Sequence, residues 1–225
     1  MEKIIKYTTI LMIIFRFIFA YEEVNYSIKY LGVIVADCKI LKKDIIFNDK
    51  NMEEIIFKVG TRPFFNFIFP VKNEYSIILD DQNRIFSFSK NTSQPNVENI
   101  LKTEFINDHL TYFDNDFEIL PSYLNVFSML HIIMSDQTLP KNFILEREGI
   151  LYDAIAEYNE DKFMYKLYLK KNSINQPIIK NTDIFTWALF MENTEKKIFI
   201  NSDTRVIEKC IFSKGITKVS AHLID

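Results

Sequence analysis

Glycine is scarce in this sequence, with four residues in a chain of 225. That excludes Gly-rich phosphate-cradling loops and Gly-rich linkers, which need backbone freedom that other residues lack. An excess of one charge is also missing. A net charge of −3 creates no long-range field for a polyanion, and no Lys/Arg block interleaved with aromatics stands out. Nucleic acid is therefore not expected as a partner. Histidine is confined to His109, His131 and His222. None has a second ligand at metal-site spacing, so neither a metal nor a cofactor is expected.

Nucleophile signatures are missing too. There is no Gly-x-Ser-x-Gly elbow, and neither Cys38 nor Cys210 has a histidine nearby in sequence. The pairs Asp80-Asp81 and Asp114/Asp116 fall in turn segments, where aspartate is common because its carboxylate bonds the local backbone. Asp114-Asn115-Asp116 with Glu118 begins like a calcium loop but lacks the required Gly and closing Glu. No catalytic residue is assigned and no enzyme is expected. The two cysteines allow one long-range disulfide or two buried free thiols. Cys38 alternates with Ile34, Ala36 and Ile40 on one apolar strand face, which favours free thiols.

What the chain does contain is apolar material, with 48% hydrophobic residues, 21 of them Phe. At the amino terminus, Lys3 and Lys6 precede an apolar run from Thr8 to Ala20, interrupted by Arg16. This reads as a signal peptide over residues 1–20, cut before Tyr21, since a bilayer span takes roughly 20 apolar residues. An uncleaved amino-terminal anchor is the other reading. Either way the chain is expected to be exported, to the periplasm or cell envelope. Residues 21–225 have no linker or repeat and read as one domain.

Past residue 21 the chain is a series of short alternating runs separated by polar turns. Asn48-Asp49-Lys50-Asn51, Asp80-Asp81-Gln82-Asn83, Asn107-Asp108 and Glu148-Gly149 mark hairpins. The series closes with strands expected over 184–191, 197–201, 205–212 and 216–224. Tight turns between successive strands require antiparallel neighbours. The fold class is thus mainly β, an antiparallel meander forming a curved half-barrel or open barrel. Two segments depart from it. Pro121–Met134 carries Tyr123, Phe127, Leu130 and Met134 at helical spacing, which predicts one central apolar helix on the concave face, with Pro121 in its first turn. Arg62–Phe69 holds four phenylalanines bracketed by Pro63 and Pro70, which predicts a short helix or irregular lip.

These elements resemble an exported bacterial group, domain-of-unknown-function family 3108. The resemblance lies in Tyr26-Ser-Ile-Lys-Tyr-Leu-Gly-Val, in Val126-Phe-Ser-Met-Leu-His-Ile-Ile, and in Phe185-Thr-Trp-Ala-Leu, Arg205-Val-Ile-Glu-Lys and Val219-Ser-Ala-His-Leu. It implies a β half-barrel similar to envelope lipoprotein carriers. It carries over no catalytic residue, because the family has no established activity. The expected function is a non-enzymatic binding or carrier module for an acyl chain or hydrophobic segment, with Phe64, Phe65, Phe67, Phe127 and Leu130 as the lining. Its partners would be a lipid or hydrophobic polypeptide, with membrane contact only transient or through an uncleaved signal segment. The alternative is a cell-envelope accessory protein that binds another protein through its sheet edges.

Overall fold

The computed structural model describes residues 22–113, 117–135, 137–172 and 177–224. The segment expected to be a signal peptide and Asp114-Asn115-Asp116 lie outside them. Among the described residues, fourteen strands form one antiparallel sheet. The first half comprises β1 (Glu22–Tyr30), β2 (Val33–Phe47), β3 (Lys50–Thr61), β4 (Lys72–Leu79), β5 (Ile85–Gln94), β6 (Val97–Ile106), β7 (His109–Tyr112) and β8 (Glu118–Ile119). The second comprises β9 (Asn142–Arg147), β10 (Ile150–Asn159), β11 (Met164–Lys171), β12 (Glu195–Ile200), β13 (Ile207–Lys214) and β14 (Thr217–Leu223). Three helices accompany them: α1 (Pro63–Asn66), α2 (Val126–Met134) and α3 (Ile184–Phe190).

The meander is simple, but its order is not the order of the chain. Strands β1 to β8 run outward in one direction, and β9 to β14 return from the opposite edge until β14 pairs with β1. The first and last strands therefore lie side by side in the middle, and β8 and β9 are the two edges. The turns are built as their sequences dictate. Asn48-Asp49 and Asn107-Asp108 all have positive φ, the conformation that a two-residue hairpin demands and that Asn and Asp tolerate best. At Gly149 (φ 88°) a Cβ would also come within 2.9 Å of Ile178, so that turn needs glycine twice over.

The sheet curls around α2. Phe127 lies 4.4 Å from the Tyr75 ring, 5.0 Å from Phe57 and 5.6 Å from Phe88, centroid to centroid. One helical side chain thus packs on three successive strands. The helix begins five residues later than Pro121 suggests. Asn125 caps it, its side chain accepting from Phe127 N and Ser128 N, while the Ser128 hydroxyl accepts from Asn125 N. This capping box fixes the start and frees Leu124 to bridge to β9, donating to Ile144 O and accepting from Glu146 N. A second departure is α3, where a strand over 184–191 is expected. The Asp183 carboxylate accepts from Phe185 N and Thr186 N. That cap starts a helix whose buried Thr186, Ala188, Leu189 and Phe190 face the core.

Met129 is fully buried and Asn125 nearly so. Met129→Ala should lower unfolding free energy by about 2–5 kcal/mol and Asn125→Ala by about 1 kcal/mol, both read from urea denaturation.

Candidate functional site

An apolar cavity of about 140 Å3 lies between the concave sheet, α2 and α3. The two-residue period of the strands builds its floor, because alternate side chains share a face. Tyr26 and Ile28 come from β1, Cys38 and Ile40 from β2, Phe57 and Val59 from β3, and Cys210 and Phe212 from β13. Helical spacing supplies the roof: Val126, Phe127 and Leu130 from α2, and Phe185, Ala188 and Leu189 from α3. Of the residues expected to form the site, Phe127 and Leu130 line this cavity. Phe64, Phe65 and Phe67 do not. They sit on the α1 lip outside it, with Phe64 exposed, Phe65 half-buried and packed edge-on against Phe64 at 5.3 Å, and Phe67 94% exposed.

Sequence reasoning missed Tyr26, Cys210 and the α3 wall as parts of the site. The alternation of Tyr26 with Ile28 was the available signal for the first. The Tyr26 hydroxyl is buried without a hydrogen-bond partner among the described residues, while the Tyr75 hydroxyl, also at the cavity wall, accepts from Asn73 Nδ2 at 3.0 Å. Both cysteines are free thiols, and burial pushes each up to about 12. Such thiols stay protonated at neutral pH, and an uncharged thiol is neither a ready nucleophile nor a metal ligand. Among the described residues, no three His, Cys, Asp or Glu side chains converge as a metal site. His131 instead pairs with Glu53 at 2.8 Å.

The titratable groups that do converge lie beside the cavity, where the two halves of the sheet meet. The Lys90 ammonium of β5 contacts Glu148 in the β9–β10 turn and Asp183 at 2.6 Å. Burial of Asp183 pushes its carboxyl up, but Lys90 and the Thr186 donors outweigh this and hold it below the ordinary value. Thr182 Oγ1 donates to Glu148 Oε1 at 2.6 Å. Nearby, Tyr112 of β7 and the Gly149 amide both donate to Glu146 Oε1 of β9 at 2.6 Å. The free space beside Lys90, Glu146 and Glu148 is about 20 Å3, room for about one water molecule. This cluster ties the two halves of the sheet together.

No family model matches the chain, and no curated protein sequence does. Among solved structures, the crystal structure of a beta-barrel-like protein of domain of unknown function DUF1849 from Brucella abortus is similar. It shares 6% identity and a TM-score of 0.47, over 91% of this chain and 96% of that one. That domain is a different one from domain-of-unknown-function family 3108.

Glu146 gives the seam a pH dependence. Burial raises its carboxyl from the ordinary 4.5 to about 7, against the lowering effect of its Tyr112 and Gly149 donors. The folded protein therefore holds a proton that the unfolded chain has released. This contribution is complete below about pH 4.5 and lost as pH rises through about 7, an amount of about 3 kcal/mol. Glu146→Gln, which mimics the protonated acid, should remove it. Denaturation of both proteins at about pH 4 and pH 8 should show the variant gaining on the wild type by roughly that amount.

Proposed function

We propose that this protein is an exported, non-enzymatic binding module that takes a compact apolar group into the cavity between its sheet and helices. The observation that carries the reading is the cavity itself, an apolar space lined in part by Tyr26, whose hydroxyl is buried without a partner among the described residues. Unfilled core volume is destabilising, and a buried hydroxyl without a partner costs more, so an occupant would relieve both. Size narrows the occupant. An engineered apolar cavity of about 150 Å3 in another protein holds benzene. A volume of about 140 Å3 therefore fits a ring or the terminal segment of an acyl chain, with a carbonyl or hydroxyl for Tyr26 to meet. Support for the non-enzymatic part is that the clustered Lys90, Glu148 and Asp183 are tied to one another. Export rests on Lys3, Lys6 and the apolar run to Ala20.

Titration calorimetry with small aromatics and short acyl compounds tests the reading. Ala188→Phe, which fills the cavity, should abolish binding while leaving a cooperative thermal transition. Tyr26→Phe should weaken ligands that carry a hydrogen-bonding group by about 3–10-fold and leave pure hydrocarbons unaffected. Undiminished binding by a folded Ala188→Phe protein would exclude the cavity as the site.

A further inference from the structure

In an antiparallel meander, alternate turns belong to opposite ends of the sheet. The two ends of this one differ in chemistry. At one end, the β2–β3, β4–β5, β6–β7, β10–β11 and β12–β13 connections present exposed Asp49, Asp81, Asp108, Asp161 and Asp203 together with Arg84, Lys162 and Arg205, and Ile46 and Phe163 are exposed singly beside them. At the other, three neighbouring connections present large apolar side chains to solvent. The β13–β14 turn exposes Ile216 at 92%, the β1–β2 turn exposes Leu31 and Val33, and the lip between β3 and β4 exposes Phe64, Phe67 and Ile68. Backbone hydrogen bonds knit the three into one rim. Leu31 N donates to Lys218 O across the first pair, and Arg62 N donates to Val35 O across the second.

Cations accompany the apolar rim. Lys72, Lys214 and Lys218 are exposed and Lys29 is half-buried. None of the four has a salt-bridge partner among the described residues. The acidic residue beside the lip, Asp37, is already paired with Arg62 at 2.7 Å. The positive field is felt nearby, where burial and then Lys29, Lys209 and Lys218 push the His222 imidazole below its ordinary value.

We propose that this end of the sheet docks on an anionic lipid bilayer. Phe64, Phe67 and Ile68, flanked by Leu31 and Ile216, enter the boundary between headgroups and acyl chains, and the lysines meet the phosphates. Solvent-exposed apolar groups rimmed by polar ones mark an interaction site, and lysines beside them add attraction to anionic lipid. The apolar groups sit on separate turn tips rather than on one flat face, and fluid lipid closes around such tips without a complementary shape. The opposite end mixes both signs of charge and, among the described residues, has no apolar rim of this kind, so the rim sets the orientation. None of this depends on occupancy of the cavity.

Depth measurement on the full chain tests the proposal independently of any attachment by residues 1–21. Phe67→Cys, Ile216→Cys and, at the opposite end, Asp81→Cys each carry an environment-sensitive nitrobenzoxadiazole label, with labelled wild type as background for Cys38 and Cys210. The labelled proteins are mixed with phosphatidylcholine–phosphatidylglycerol vesicles containing a shallow spin-labelled quencher lipid. Blue-shifted, quenched emission is expected at 67 and 216 and unchanged emission at 81. Lys214→Glu with Lys218→Glu should weaken the response at 67 by at least about tenfold. The proposal is overturned if positions 67 and 216 stay aqueous, which would leave the rim to a protein partner, or if position 81 is quenched equally. A response unchanged on pure phosphatidylcholine would overturn the role given to the lysines.

Discussion

Lys90 is buried on the inner face of β5, between carboxylates supplied by the other half of the chain. Its position answers a problem set by the sheet. Fourteen strands joined by backbone ladders still end in two edges, β8 and β9, and among the described residues no strand ladder joins those edges. The Leu124 backbone bridges to β9, and side chains add the rest. Lys90 to Glu148 and Asp183, and Tyr112 to Glu146, each connect a strand of the outgoing half to an element of the returning half. A buried ion pair gives back in mutual attraction much of what desolvation takes, so its net contribution to stability is modest. Its geometric effect is larger. With one partner gone, the remaining charges would be stranded in the interior, at a cost of several kcal/mol. Those contacts hold the two halves in register across the concave face, beside the ring packing of Phe127 that seats α2.

The local half of this architecture was legible in the sequence. Asn-Asp turns fixed the hairpins because those residues tolerate the backbone a tight turn needs, and alternation identified the inward faces. The strand–helix distinction was lost where a cap decided it. Ile184–Phe190 is a short apolar run that periodicity reads either way, and the Asp183 carboxylate on two amides settles it as a helix. Leu124 shows the converse. Its apolar side chain suited the expected helix, but its backbone is claimed by β9.

The seam was not legible for a different reason. Lys90 and Thr92 continue the inward face of Phe86 and Phe88, yet a lysine in a strand ordinarily faces water, and Glu148 lies 58 residues away. Nothing local announces a pairing made only when the sheet curls. The phenylalanines of the lip misled in a related way. Hydrophobicity suggested a lining, but the brackets Pro63 and Pro70 carry the segment out beyond the sheet, where the rings meet solvent. The cavity took its walls from residues as ordinary in sequence as Ala188 and Ile28.

The pairing of β1 with β14 has a consequence in time. Ser27 Oγ reaches the carbonyl of His222, 195 residues further along the chain. As the polypeptide emerges, β2 can cover one side of β1 at once, while the other side must wait for almost everything else. Throughout that interval the middle of the future sheet is an open strand edge, ready to recruit any extended segment it meets. Contacts of such separation are also slow to find. A chain that stops short of Thr217 would thus lose more than a terminal strand. It would keep that edge permanently open at the centre of the molecule, turning a transient hazard of folding into a fixed site for aggregation.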